Sequence, residues 1–264
     1  MTILDEIIAE KEKEVMQLKK ETIAYNAPAY DGPTFQELIT NRNTMGMIAE
    51  MKRASPSKGM IHPNVDPKAQ ARSYEKYGAN AISVLTDGPF FKGSMEDLTA
   101  VREAVQLPIL CKDFMIDTIQ IDHAKQAGAN IILLIAAALS DTLLKELYNY
   151  AVQAGLEVLV EVHNEEEMER VLPLHPSLVG VNNRNLKTFD VDLSTTNRMA
   201  KMVTNPQTIL IGESGIRHAS DVEQLAAAGA EAILIGETLM RSSSLKETMH
   251  ALQIPLPHKT ERSL

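Results

Sequence analysis

A short unit recurs along this chain, in which a glycine ends one segment and an apolar run follows almost at once. The clearest copies are Gly78-Ala79-Asn80 before residues 81–85, Gly128-Ala129-Asn130 before 131–134 and Gly229-Ala230-Glu231 before 232–235, and Gly155-Leu156-Glu157 before 158–160 is a looser copy. Glycine commonly ends a helix, and a short apolar run bounded in this way is typical of a buried strand. The unit therefore predicts helices that alternate with buried strands.

Together with the other β-rich runs, the repeats predict eight strands, near 46–51, 80–86, 108–112, 129–135, 156–162, 178–182, 207–212 and 231–235. Near-continuous apolar strands separated by amphipathic segments indicate a parallel sheet covered by helices. An open doubly wound sheet is the alternative, but its glycine-rich G-x-G-x-x-G turn does not follow the first strand. The sequence therefore favours the α/β class and a (β/α)8 TIM barrel.

The first residues predict an N-terminal helical extension of the barrel. One helical face carries the apolar residues Ile3, Leu4, Ile7, Ile8, Val15 and Leu18. Thr34 is suited to cap a second helix, and residues 26–33, with two prolines and a glycine, indicate a turn-rich connection. We expect one barrel domain over residues 1–264, with residues 1–44 as the extension.

Charge and composition exclude several classes of partner. The 26 Lys and Arg residues against 35 Asp and Glu give a net charge of −9, which argues against nucleic acid and against an anionic membrane surface. The longest apolar run, residues 131–139, is far shorter than the ~20 residues that cross a bilayer. Cys111, the only cysteine, cannot form an internal disulfide, and the N-terminus does not have the pattern of a signal peptide. A cytoplasmic location is expected.

Ionisable and polar side chains stand where the predicted strands end, which is where a barrel of this kind places its active site. They are Glu50 and Lys52 on the first strand, Lys112 on the third, Glu161 on the fifth, Asn182 and Arg184 on the sixth, and Glu213 and Ser214 on the seventh. The alternative is that these charges only pair with one another at the polar rim of the barrel and have no catalytic role. Both signs crowded into one partly desolvated ring favour an acid–base site.

Alternation along the strands predicts which way these side chains point. Glu50 and Lys52 should face the same side and Met51 the other. If Lys112 faces the mouth of the barrel, Cys111 should face the helices.

The seventh and eighth strands are followed by Ser214-Gly215 and Gly236-Glu237, each of which is predicted to lead into a helix. Glycines and helix N-termini let backbone N–H groups approach an anion, so Gly215, Gly236 and Glu237 are candidates for a phosphate site. The alternative is that these glycines only allow the chain to turn and bind no anion.

Two further features carry weaker signals. The loop over residues 53–66, which contains Ser55, is long enough for a lid, although a plain surface excursion is almost as well supported. The histidines share no metal-binding spacing and are interpreted as surface or capping residues: His62, His123, His163 and His218. No metal site is predicted.

Six motifs in order along the chain resemble the indole-3-glycerol phosphate synthase family of tryptophan biosynthesis. They are EMKRASPSKG from Glu50, LT–FFKGS from Leu85, LCKDF from Leu110, EVH from Glu161, NNRNL from Asn182 and GESGI from Gly212. The resemblance spans essentially the whole chain. It implies closure of the indole ring of 1-(2-carboxyphenylamino)-1-deoxyribulose 5-phosphate with loss of carbon dioxide and water, and it implies neither metal nor organic cofactor.

The resemblance also implies roles for individual residues. Lys112 matches the family's general acid, and Glu161 matches a base that stabilises developing positive charge. Glu50 and Lys52 match acid–base and substrate-binding residues, and Phe91 and Phe114 match aromatic residues beside the anthranilate ring. The remaining matches to the substrate site are Ser55, Asn182, Arg184, Leu186, Glu213 and Ser214. Other enzymes of the tryptophan pathway are the candidate protein partners.

Two other classes of function stay open from the residues. A strand-end lysine such as Lys112 is suited to form a Schiff base, as in an aldolase. Another barrel that binds a phosphosugar, with or without catalysis, is the second alternative.

Overall fold

Eight parallel strands form a closed barrel at the centre of the computed structural model, which describes residues 2–20, 25–40 and 42–257. In barrel order the strands are β1 Gly46–Met51, β2 Ala81–Leu85, β3 Ile109–Lys112, β4 Ile131–Ile135, β5 Glu157–Val162, β6 Leu178–Asn182, β7 Ile209–Glu213 and β8 Ala232–Ile235. Each strand pairs with the next, and β8 closes the barrel by pairing with β1. The predicted (β/α)8 barrel is confirmed, and the open sheet is excluded.

Helices follow the strands and cover the outside of the barrel. The α-helices of the described residues are α1 Ile3–Leu18, α2 Phe35–Thr40, α3 Pro67–Lys76, α4 Gly88–Phe91, α5 Met95–Arg102, α6 Thr118–Gln126, α7 Asp141–Gln153, α8 Glu165–Val171, α9 Ser194–Ala200, α10 Ala219–Ala228, α11 Glu237–Met240 and α12 Leu245–Leu252. None of the helices in the described ranges is long and apolar enough to cross a membrane. The loop after β1 contains a short antiparallel hairpin of Ala54–Ser55 and Gly59–Met60.

The repeated unit has a structural explanation. Gly78, Gly128 and Gly229 all have φ between 93° and 103°, in the left-handed region that lets the chain leave a helix and enter the next strand. In two copies the following asparagine adds a side-chain hydrogen bond to the neighbouring strand. Asn80 Oδ1 accepts from the N–H of Met47 at 2.9 Å, and Asn130 Oδ1 accepts from the N–H of Ile109 at 3.0 Å.

The strand side chains form two apolar layers, as the alternation predicts. Leu110 and Leu159 point into the barrel, whereas Met51 and Cys111 are buried between the strands and the helices. Glu50 and Lys52 lie on the same side of β1, because their Oε1 and Nζ atoms are 2.6 Å apart. The barrel interior is thus closed by packed side chains up to the level of the strand ends.

The two N-terminal helices lie at opposite ends of the barrel. Phe35 and Ile39 of α2 are fully buried in the inner apolar layer at the amino ends of the strands. Glu157, the first residue of β5, accepts the N–H groups of Phe35 and Gln36 at 2.7 and 2.9 Å and so satisfies free donors at the start of α2. Thr34 caps this helix as predicted, since its Oγ1 accepts the N–H of Glu37.

Candidate active site

A cavity of about 760 Å³ opens at the carboxyl ends of the barrel strands. Every site residue proposed from the sequence lies along its wall: Glu50, Lys52, Ser55, Phe91, Lys112, Phe114, Glu161, Asn182, Arg184, Leu186, Glu213, Ser214, Gly215, Gly236 and Glu237. The barrel therefore brings together side chains that are far apart in the sequence. Their individual roles stay predictions.

Other residues of the wall were not predicted from the sequence. Ile3, Leu4 and Ile7 of α1 contribute an apolar side, and Lys58, Arg217 and Arg241 add positive charge to the wall. The apolar face of α1 was visible in the sequence. Its position over the mouth was not, because a helical pattern does not specify what the helix packs against.

Lys112, at the end of β3, lies at the centre of the charged cluster. Its Nζ donates hydrogen bonds of 2.8 Å to Glu161 Oε2 and to Glu213 Oε2. Burial alone would lower the pKa of Lys112, but Glu161, Glu213 and Glu50 together raise it above its usual value. Lys112 is therefore an ammonium group, which is the form that a general acid requires.

The two carboxylates that contact Lys112 differ in their titration. Burial would raise the pKa of Glu161, but the positive charges of Lys112 and His163 lower it below its usual range. Burial instead raises the pKa of Glu213 to about 7, and Glu161 adds to that rise while Lys112 opposes it. Neighbouring acids whose pKa values are separated in this way are typical of sites that both donate and accept protons.

Glu213 depends on a glycine of the neighbouring strand for its position. A Cβ atom at Gly180 of β6 would lie 2.0 Å from Glu213 Oε1, so only glycine leaves room for this carboxylate. Within the described part of the chain, Oε1 has no hydrogen-bond partner, although the atom is buried. A buried free acceptor beside a cavity is suited to a hydrogen bond from a ligand.

Glu50 and Lys52 form a second ion pair at the carboxyl end of β1. Glu50 is almost fully buried, and its Oε1 would lie 2.5 Å from a Cβ atom at Gly236. Gly236 thus leaves space for the Glu50 side chain. This requirement explains the glycine even without a bound anion close to its backbone. Lys52 is more exposed to the cavity than its partner.

The histidine prediction is wrong for two residues. His163 is buried behind Glu161, with its Nε2 3.1 Å from Glu161 Oε1 and its Nδ1 3.0 Å from Glu167 Oε2. Burial would lower the pKa of His163, but the two carboxylates raise it to about 10. His123 is also buried, whereas His218 precedes α10 as a cap. The sequence did not predict that the first turn of α8 brings the Glu167 carboxylate into contact with His163.

Phe91 and Phe114 face each other on one side of the cavity. Their ring centroids are 6.0 Å apart at an interplanar angle of 37°. Phe91 ends α4, and Phe114 follows β3 directly after Asp113. The pair offers an apolar, aromatic surface against which a ligand ring can pack.

The other side of the cavity contains the glycines after β7 and β8. Ser214 and Gly215 have φ values of 63° and 83°, and Gly236 is the N-cap of α11. The prediction that a helix begins directly after each of these two strands is wrong for β7, because α10 begins only at Ala219.

The Glu237 carboxylate lies on the same side, 3.3 Å from Arg241 and 4.0 Å from Lys58. A role for Glu237 toward an anion would therefore use its backbone N–H group, since its side chain is negative.

The described residues contain no group of three or more His, Cys, Asp or Glu side chains arranged to hold a metal ion. The polar groups that face the cavity are instead the ammonium, carboxylate, amide and guanidinium groups described above.

Comparisons with known proteins agree with this geometry. Residues 4–252 match the family model described as indole-3-glycerol phosphate synthase. The chain is 53% identical to the indole-3-glycerol phosphate synthase of Oceanobacillus iheyensis over the full length of both chains. It is 50% identical to that of Bacillus cereus strain B4264, over 92% of this chain and 95% of the relative. Among solved structures, the N-acetylmannosamine-6-phosphate 2-epimerase of Clostridium perfringens matches with a TM-score of 0.62 at 14% identity, over 82% of this chain and 95% of that one, which shows the fold alone.

Proposed function

The chain belongs to the indole-3-glycerol phosphate synthase family, and we propose that it converts 1-(2-carboxyphenylamino)-1-deoxyribulose 5-phosphate to indole-3-glycerol phosphate, carbon dioxide and water. The observation that carries the proposal is the Lys112 ammonium, held between Glu161 and Glu213 inside a cavity with one aromatic and one positively charged side. Ring closure needs a proton donor and a proton acceptor in the same small space.

The substrate spans the cavity between these two sides. Phe91 and Phe114 hold the aryl ring, and the sugar phosphate binds toward Gly215, Gly236 and the N–H of Glu237. Lys52 and Arg184 are two of the cations that line the cavity, and they pair with the substrate's two anionic groups. Binding at both ends fixes the ketone carbon beside the ring carbon that attacks it.

Lys112 supplies the proton for the first step. As the ring carbon that bears the carboxylate bonds to the ketone carbon, the ketone oxygen takes a proton from Lys112 Nζ and becomes a hydroxyl. The carboxylate then leaves as carbon dioxide, and its bonding electrons restore the aromatic ring. In the substrate complex the ketone oxygen takes the place of one carboxylate next to Nζ, which makes the ammonium a stronger acid.

The two glutamates serve the second half of the reaction. The hydroxyl leaves as water with one more proton, and the resulting cation loses a proton from the carbon next to nitrogen to form the indole double bond. Glu161, kept ionised by Lys112 and His163, stabilises that cation. Glu213, whose pKa is raised by burial and by the neighbouring Glu161, exchanges the protons.

The aldolase alternative does not fit the charge of Lys112. Schiff-base formation needs a neutral amine, whereas two carboxylates at 2.8 Å hold this amine as an ammonium. Borohydride treatment in the presence of substrate should therefore leave Lys112 unmodified.

The direct test is to follow the fluorescence of the indole product when the purified chain is mixed with the carboxyphenylamino-ribulose phosphate. Glu161→Gln keeps the size of the side chain but removes its charge, so kcat should fall by at least about tenfold with a modest change in KM. Absence of product formation by the unmodified chain would refute the proposal. A loss confined to KM in the variant would instead make Glu161 a binding residue.

A further inference from the structure

A lysine of the N-terminal helix is buried beneath the mouth of the barrel, outside the catalytic cluster. Lys11 of α1 is only 2% exposed. Its Nζ lies 2.8 Å from Asp113 Oδ1, 3.0 Å from Asp87 Oδ2 and 2.7 Å from Glu14 Oε2. A buried ammonium between two buried aspartates from different loops is costly to desolvate, so its partners are its main stabilisation.

The first aspartate holds the segment that carries one of the aromatic residues. Asp87 follows β2 and is fully buried. Its Oδ1 accepts the backbone N–H groups of Phe90 and Phe91 at 2.7 and 3.1 Å, which caps the short helix α4. Its other oxygen faces Lys11. The position of the Phe91 backbone therefore depends on where the Asp87 carboxylate lies.

The second aspartate holds the other aromatic residue in the same way. Asp113 follows Lys112, and its Oδ1 accepts the backbone N–H of Phe114 at 2.8 Å while also contacting Lys11. Its Oδ2 accepts the hydroxyl of Thr86 at 2.6 Å. One ammonium group thus joins the two carboxylates that each hold the backbone of one cavity aromatic.

We propose that Lys11 is a positioning residue for the aromatic pair Phe91 and Phe114, and that through this pair it sets the affinity for the aryl end of the substrate. This inference rests on the proposed function, which places the aryl ring between these two side chains. Lys11 does not line the cavity, so its effect is indirect.

The physical reason is charge compensation. Without the ammonium, the Asp87 and Asp113 carboxylates would face each other in a buried space. Like charges at such short range repel strongly, so one carboxylate would take up a proton or move away from its loop. Either change alters the hydrogen bonds that set the distance between the two rings.

Lys11→Met tests this role, because methionine keeps the apolar length of the side chain and removes the charge. We expect KM for the substrate to rise about tenfold and kcat to fall by less. Inhibition by N-methylanthranilate, which has the aryl ring and carboxylate without the sugar phosphate, should weaken by a similar factor. Inhibition by inorganic phosphate should be unchanged, because the glycines after β7 and β8 do not contact Lys11.

Two further variants separate positioning from general destabilisation. Lys13→Met removes an exposed lysine of the same helix, which pairs with Glu10, and should match the unmodified enzyme. Asp87→Asn added to Lys11→Met removes one of the opposed charges but keeps an oxygen for the N–H groups of Phe90 and Phe91. The double variant should recover most of the lost affinity for N-methylanthranilate.

The outcomes are distinguishable. Lack of turnover by the unmodified enzyme, or its failure to bind N-methylanthranilate, would refute the proposed function before any variant is considered. A folded Lys11→Met variant with unchanged aryl affinity, or with equal losses toward aryl and phosphate ligands, would overturn the positioning role. Failure of both the single and the double variant to fold would overturn it too, since Lys11 would then be a requirement of folding.

Discussion

Gly180→Ala adds a single methyl group to the barrel wall and tests whether the contact between Glu213 and Lys112 matters for turnover. The new Cβ would lie 2.0 Å from Glu213 Oε1, so the carboxylate must retreat by at least about 1 Å to reach a normal contact distance. The other oxygen of the same carboxylate, Oε2, accepts the 2.8 Å hydrogen bond from Lys112, and we expect the displacement to lengthen or break that bond. A charge-assisted hydrogen bond is worth about 1.5–3 kcal/mol, so we expect kcat to fall about 10- to 100-fold.

The assay is product fluorescence under saturating substrate, with thermal unfolding measured on the same samples. Gly212→Ala is the matched control, because its Cβ would meet Leu225 Cδ1 at 2.8 Å on the helix side of β7, away from the cavity. This control should lose stability through overpacking but keep the kcat of its folded fraction. A folded Gly180→Ala variant with the kcat of the unmodified enzyme would refute the reasoning.

Three other changes probe separate parts of the structure. Lys112→Met should lower kcat by at least about 10²-fold in a protein that still folds, with a lower unfolding temperature because Glu161 and Glu213 lose the ammonium between them. A folded variant with more than about a tenth of the activity would contradict general-acid catalysis. His163 has its pKa raised from 6.5 to about 10, so its contribution to stability is complete below pH 6.5 and is lost as pH rises toward 10. The urea midpoint of the unmodified enzyme should therefore decrease as the pH rises from 6.5 to about 10, and the decrease should be smaller for His163→Asn. If the midpoints of both proteins decrease equally with pH, the His163 imidazolium does not stabilise the Glu161 carboxylate. Glu157→Gln should cost about 1–3 kcal/mol in urea unfolding, because the two N–H groups of α2 bond to different carboxylate oxygens and the amide NH2 that replaces one of them cannot accept. An unchanged midpoint would argue against this cap.

The catalytic end of the barrel was largely predictable because strand order and strand alternation are local properties. Lys112 and Glu161 each lie at the carboxyl end of an apolar strand, and parallel strands of a barrel all end on the same side. Their convergence on one cavity therefore follows once eight strands are identified. The separation of the pKa values of Glu161 and Glu213 does not follow, since it depends on which carboxylate the His163 imidazolium faces.

The barrel strands and their order are predictable from the sequence alone, because apolar periodicity and helix-ending glycines such as Gly78 and Gly128 act over a few neighbouring residues. What each element packs against depends on the tertiary structure. It alone placed α1 over the mouth and α2 under the barrel, buried Lys11 between Asp87 and Asp113, and left room at Gly180 for Glu213. Burial and charge pairing involve residues that lie a hundred or more positions apart, as Lys11 and Asp113 do, so no local pattern in the chain contains them.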